Sequence, residues 1–515
     1  MNTRHLARAA LLGLFAALLA GCPTKPVLRS EDGVVAVPRL PRLSDDLSGV
    51  VFPANLAPLS FSVREPGVAY HVAATADGEP AGEAFSRDGN LRLPAAEWKQ
   101  ALGEHTNLSL TVSVQGADGR WQRFAPVRCT KGPPIDRYLV YRQIGPVYNY
   151  YSNIRIRERD LQGYGERTVL GSGQLGGGCV NCHTFHAGRT ERMTINVRGQ
   201  AYGDHALLAV GNQITKMAKP WGYNSWHPGG QVVAYSLNKV RQFFHDAGAE
   251  VRDVVDLDSD IVAYRLDTGT VVTAPDLADP NRLETYPYWS ADGKYLYYCS
   301  APILWTNREY VPPKRYAEVR YDLRRIAYDA QTGQFGRAET VLAAATTGKS
   351  ILLPRPSPDG KWLLFCMCDY GCFPIFQPSS DLYLMDVRTG QYRRLEINSD
   401  RAEAWHSWSS DSQWIAFSSK RRDGLLTRTY LAHVDAAGKV TKPLLVPQSD
   451  PQDYDGSLKT ASVPELVTEP VRLTAQTLGA AARGRQQVSL KLPAISMTRK
   501  PAKPTPTEGW QQQGR

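Results

Sequence analysis

A pattern repeated four times constrains this chain more than any other feature. Its copies are Ser225-Trp226-His227-Pro228-Gly229-Gly230, Tyr288-Trp289-Ser290-Ala291-Asp292-Gly293, Arg355-Pro356-Ser357-Pro358-Asp359-Gly360 and Ser407-Trp408-Ser409-Ser410-Asp411-Ser412. Each copy ends one apolar strand and turns into a second, from Val232-Val233-Ala234-Tyr235 in the first to Trp414-Ile415-Ala416-Phe417 in the last. A third strand follows each time, and three of the four continue into Asp267-Thr268-Gly269, Gln331-Thr332-Gly333 and Arg388-Thr389-Gly390. Asp-Gly and Thr-Gly pairs supply the positive φ that tight hairpins need. Four short strands at this spacing form a unit that cannot bury both of its faces, so several must close a ring. Residues 193–220 read as a fifth unit, and the segments flanking the ring are available for a sixth. The fold expected is mainly β: a β-propeller of six blades. Trp226, Trp289, Trp408 and Trp414 recur at repeat positions and are expected in its core.

Ahead of the repeats, Leu59-Ser60-Phe61-Ser62-Val63 and Leu108-Ser109-Leu110-Thr111-Val112-Ser113-Val114 alternate with the period of strands. They predict a small immunoglobulin- or fibronectin-like β-sandwich over 56–130. Residues 131–192, rich in Tyr and Arg, read as a connector holding an inserted haem-binding segment, and 193–470 as the propeller. Residues 471–515 carry much of the formal net charge of +10 and are expected to be a disordered basic tail.

The N-terminus carries a processing signal. Arg4, His5 and Arg8 precede an apolar run from Ala9 to Ala20, and Leu19-Ala20-Gly21-Cys22 looks like a lipobox. The run is too short for a membrane span. Residues 1–21 are therefore expected to be a signal peptide, Cys22 the lipidated residue, and 22–55 a tether. Export implies an oxidising compartment, in which Cys366, Cys368 and Cys372 are expected to form a local disulfide with a buried thiol rather than a metal cluster.

Cys179-Val180-Asn181-Cys182-His183 matches C-x-x-C-H. In c-type haem attachment two thiols bond the two vinyl groups of one porphyrin and the following imidazole meets the iron. The expectation is one covalent haem c on Cys179 and Cys182, with His183 as proximal ligand. A redox CxxC and a zinc site remain as alternatives. For the distal position Met193, Met217, His205, His227, His245 and His406 are open, with His245 favoured for its Phe243-Phe244 neighbourhood. Asp256, Asp258 and Asp260 could hold Ca²⁺, although a solvated loop is the expected reading.

The Trp-Ser-Pro-Asp-Gly-like repeats resemble the TolB-type propeller repeat. Ile135 to Arg142, Cys179 to Phe185, Ser225 to His245 and His406 to Gln448 resemble exported bacterial TolB-like proteins with a single CxxCH. That resemblance implies architecture more than activity. Such proteins often have His at the place of Asn196.

No nucleophile elbow, Walker loop or dinucleotide fingerprint is present, and no nucleic-acid motif accompanies the basic charge. The function expected is a lipid-anchored monohaem cytochrome of the cell envelope, at the outer membrane, serving electron transfer or docking with an envelope protein or redox partner and not catalysing a reaction itself. The alternatives are an enzyme resembling cytochrome cd1-type reductases and a TolB-like propeller that binds protein or glycan.

Overall fold

The computed structural model describes residues 33–145, 153–199 and 201–493. Cys22 lies outside them. Among the described residues are six four-stranded antiparallel sheets. Sheet I joins Tyr138–Ile144, Arg155–Asp160 and Glu166–Gly171 to the late strand Thr460–Val467. Sheet II runs Cys179–His186, Arg189–Arg198, His205–Val210, Gln213–Met217. Sheet III runs Asn224–Trp226, Val232–Phe244, Arg252–Arg265, Thr270–Val272. Sheet IV begins at Arg282–Trp289, sheet V at Ser350–Pro356 and sheet VI at Glu403–Trp408.

The first strands of sheets II to VI lie against one another in order. Thr460–Val467 then lies against both Glu403–Trp408 and Cys179–His186. The inner strands therefore form a closed ring, and a strand from the C-terminal end completes the sheet that the chain began at Tyr138. This is the radial arrangement of a β-propeller.

The repeated turns show why these segments fold alike. Ser290, Ser357 and Ser409 each donate through Oγ to the aspartate two residues on, at 2.6, 2.6 and 2.5 Å. Each Oγ also accepts from a backbone N–H five residues on, at 3.0, 3.0 and 2.9 Å. The fourth turn residue has φ of +72° at Gly293 and +74° at Gly360, while Ser412 takes +64°. The four repeat tryptophans are all buried.

Three boundaries differ from the sequence reading. The supposed connector over 131–192 supplies three strands of sheet I, the first strand of sheet II and the start of its second. Its arginines conceal strand alternation, because Ile156 and Glu158 turn inward. Within the supposed tether, Val35–Val37 and Val51–Pro53 pair in parallel with Trp121–Phe124 and Val127–Gly132. They belong to a seven-stranded N-terminal sheet, accompanied by the two-stranded sheet Ser60–Ser62/Asn90–Arg92 and the helix Ala95–Glu104. Its core is continuous with Trp414, Leu431 and Leu444 of sheet VI. Within the supposed tail, the helix Ala475–Arg483 buries Leu478 and Ala482 against sheets I and II, so apolar burial holds this part in place despite the basic composition.

Two glycines with the same φ separate backbone strain from crowding. A Cβ on Gly293 would collide with the His227 ring, whereas one on Gly390 (φ +72°) meets nothing within 4 Å. Gly390→Ala should cost about 1 kcal/mol for left-handed strain alone, and Gly293→Ala should cost at least 2 kcal/mol more through overpacking. Urea midpoints of the two variants check this, and equal midpoints would refute it.

Candidate functional site

Five of the six inner strands share one irregularity, Asn224–Trp226 of sheet III being regular. The ladder slips by one residue between Asn181 and His183, between Thr285 and Tyr288, between Leu352 and Arg355, between Ala404 and Ser407, and opposite Val463 in sheet I. At four of these bulges a non-glycine residue has positive φ: Tyr286 (+55°), Leu353 (+56°), Trp405 (+48°) and Val463 (+53°). Such geometry costs about 1–3 kcal/mol per residue and gathers at functional sites. The next residue is Pro287, Pro354 or Pro464 in three sheets and His406 in the fourth. Proline suits this place because the bulge removes the ladder bond its missing N–H would have made. In sheet II the bulged residue is Cys182 and the next is His183.

The bulges turn side chains into one central cavity of about 690 Å³. Every sheet contributes, with Val463, Cys182, Tyr223, Tyr286, Leu353 and Trp405 among the lining residues. The Tyr223 and Tyr286 rings lie 4.1 Å apart, tilted by 40°, with Trp405 at 5.8 Å from Tyr223. Arg142, Arg198, Lys219, Arg241 and Arg355 also line it, and no carboxylate does among the described residues. Arg142 donates to Asn181 Oδ1 and to Ser462 Oγ. Arg355 lies over the Tyr288 ring at 4.5 Å and 3.6 Å from Glu465, a buried carboxylate of the closing strand that accepts from Thr184 Oγ1 and the Phe185 N–H. Five cations facing an apolar, aromatic floor define a site for an anionic, flat ligand.

His183 is 3% exposed, and its Nε2 lies 3.4 Å from the Val140 carbonyl oxygen. A carbonyl only accepts, so this contact puts the proton on Nε2 and leaves Nδ1 as the lone-pair nitrogen. That Nδ1 is buried without a partner. Burial drives the imidazole pKa down to about 3, with the Val140 carbonyl opposing and Arg142 and Arg355 assisting, so the ring is neutral and able to ligate a metal. His406 is an internal control. It occupies the equivalent place in sheet VI, its Nε2 is 3.2 Å from the Leu364 carbonyl, and burial also takes its pKa to about 3. Its Nδ1, however, lies 3.7 Å from Cys366 Sγ. Packing therefore accounts for both rings, while only His183 keeps a bare nitrogen. The Gln242 amide and Trp405 Nε1, also at the cavity, are likewise buried and unpartnered. Buried polar groups are nearly always satisfied, so this cluster points to a polar ligand.

The remaining expected residues fall elsewhere. Cys179 is 1% exposed and packs with Leu175, Val180 and Phe185 in the core between sheets I and II, away from the cavity that Cys182 faces. Burial pushes its thiol up to about 11 and raises Cys182 as well, which opposes the thiolate a redox CxxC requires. The residues thus fit haem c at Cys182 and His183. Cys179 opens the strand directly after Gly176-Gly177-Gly178, and its thiol must turn out of the core to reach the same ring.

The structure does not bring His245 to this cavity. Its Nε2 is 3.2 Å from Asp253, although its neighbour Phe244 lines the rim. Met193 and Met217 are buried in other cores. His205 and His227 contact the Gly203 and Gly293 carbonyls at 2.9 and 3.1 Å. The expected disulfide is absent. Cys366, Cys368 and Cys372 are free and buried, near the carbonyls of Glu403, Tyr370 and Val254. Asp256, Asp258 and Asp260 are not on a solvated loop but buried in the long strand Arg252–Arg265. There Asp258 pairs with Arg308 and Asp256 accepts from Asn238 Nδ2 at 2.6 Å. No cluster of three or more metal-ligating side chains occurs among the described residues, and none of their helices is long and apolar enough to cross a membrane.

Sequence reasoning missed Trp405, Gln242 and the arginines of the cavity. A proline inside an apolar inner strand, as at Pro287, Pro354 and Pro464, was the signal available for the bulges; Gln242 carries none.

Solved structures that superpose on the chain include two β-propeller proteins. TolB from Acinetobacter baumannii covers 72% of this chain and 85% of its own, at 13% identity and a TM-score of 0.40. Oligogalacturonate lyase from Vibrio parahaemolyticus covers 65% and 88%, at 13% identity and 0.30. Kuenenia stuttgartiensis hydrazine synthase covers 51% and 67%, at 13% identity and 0.28. These are distant superpositions, and the fold stands on the strand topology. No protein-family model and no curated protein matches the chain.

The two neutral histidines fix a pH dependence. Unfolded histidine titrates near 6.5, so below that pH the unfolded chain binds protons that the folded chain refuses until about pH 3. Stability is then lost as pH falls through this window. Replacing His406 with Gln should reduce the loss between pH 6 and pH 5 by about 1 kcal/mol relative to the parent. Urea unfolding at both pH values measures it, and identical slopes would contradict it.

Proposed function

We propose that this protein is a six-bladed, TolB-like propeller of the cell envelope, anchored through a lipid on Cys22, that carries one haem c in its central cavity and serves electron transfer. The observation that carries the reading is the pairing of Cys182 with His183 on an inner-strand bulge, where a thiol and a neutral imidazole with a bare Nδ1 border a cavity of cofactor size. A bound haem would supply one-electron chemistry. The chain's own residues account for holding it. Cys182 offers the nearer thioether. His183 would offer its unpartnered ring nitrogen to the iron, with the ring oriented by the Val140 carbonyl, in the manner of outer partners that fix ligand rings. Arg142, Arg198 and Arg355 offer guanidinium groups to the propionates. Tyr223, Tyr286 and Trp405 offer faces against the macrocycle. The six sheets serve as six blades, and the N-terminal sheet, whose core runs into sheet VI, spaces the ring from the anchor.

The test is intact mass spectrometry of the chain produced in a host that matures c-type cytochromes. The expected result is one covalent haem per chain. Cys182→Ser should abolish attachment, while Cys179→Ser should retain a single thioether in a substantial fraction. An unmodified mass in folded parent protein would overturn the reading, and equal loss in both variants would overturn the separate roles of the two thiols.

A further inference from the structure

A second cavity, of about 280 Å³, lies between sheets I and VI and shares no lining residue with the central one. Its first wall comes from the strand Arg155–Asp160. Arg155, Arg157 and Arg159 alternate along it and share one face, about 7 Å apart. The opposite wall carries Arg428 and Thr429 of sheet VI, with Tyr454 and Lys459 from the segment that follows.

The charges do not balance. Five cations line this cavity against two carboxylates, Glu166 and Asp453. Glu166 is already engaged by Arg157 at 2.9 Å, Arg159 at 3.7 Å and the Tyr141 hydroxyl at 2.9 Å. Asp453 is exposed. Arg155 and Lys459 have no acidic partner among the described residues. Arg428 is 2% exposed and makes no ion pair among them. Its terminal nitrogens donate to the carbonyls of Lys459, Tyr454 and Ser457. Three buried donors on these lining residues are left over: Arg428 Nε, Arg157 Nε and Thr429 Oγ1 have no partner. A buried cation without a counter-charge is costly, and here the shortfall lies beside an open cavity.

We propose that this cavity binds a phosphate dianion, free or as a small monoester. The five cations come from two opposed walls, which suits a tetrahedral acceptor over a planar carboxylate. Guanidinium groups are the usual partners of such oxyanions.

Calorimetric titration of the full chain at low ionic strength tests this, with inorganic phosphate, glycerol 1-phosphate and succinate as ligands. The expected result is one saturable site for inorganic phosphate or for the monoester, weakened several-fold by added salt, with succinate at least tenfold weaker. Removing Arg428 endangers folding, so the deciding variant is Arg155→Gln/Lys459→Gln at the rim. It should weaken phosphate at least tenfold with an unchanged melting temperature and an unchanged central site. No saturable binding of either phosphate at millimolar concentration, succinate binding as tightly, or full affinity in the rim variant would each overturn the proposal.

Discussion

Each four-stranded sheet has two apolar faces and can bury them only between neighbours, so every sheet depends on the ring being complete. Completion rests on one strand, Thr460–Val467, which supplies the inner edge of the sheet begun at Tyr138 and lies against the first strands of sheets II and VI. The strand does more than close the ring. It brings Val463 to the central cavity and places Glu465 against Arg355. The segment after it then packs the helix Ala475–Arg483 on sheets I and II.

The closed ring gives the bulges their meaning. A regular inner strand would point alternate side chains into the two intersheet cores and leave backbone at the axis. In five of the six inner strands one inserted residue re-aims a side chain inward, at the cost of left-handed backbone for Tyr286, Leu353, Trp405 and Val463. Ring packing over-determines these conformations, and what it obtains is a cavity lined by large aromatics and cations. Cys182 and His183 stand at the same structural position as Trp405 and His406, so the haem-type motif is an elaboration of a place that the architecture already builds.

The repeats were legible because their turns need particular chemistry: a Ser–Asp pair to hold the backbone, then a residue able to take positive φ. The same logic explains what was not legible. The first hairpin of sheet II turns on Ala187-Gly188, with φ of +50° and +68°, and carries none of the Ser-x-Asp-Gly signature. The strand holding the CxxCH was therefore read as part of a connector. Sheet I was hidden by its arginines, which face a polar cavity and so break the expected alternation of apolar and polar residues. The strands Val232–Phe244 and Arg252–Arg265 run 13 and 14 residues, far beyond their blade. Asp256 and Asp258 are buried by that extension, which nothing local to them announces. Of the site, the motif singled out Cys182 and His183, both of which line the central cavity. It could not reveal that Cys179 turns the other way, because the spacing alone does not distinguish a helical turn from a bulged strand.

The most direct test of the account is the optical spectrum of the purified chain, made with its signal sequence in a host that attaches haem c, before and after dithionite. The account predicts a sharp reduced α-band in the c-type region that stays with the chain after denaturation and is lost in Cys182→Ser. A well-folded protein without visible absorption would contradict it, and would leave the cavity of Cys182, His183 and five cations to some other anionic ligand.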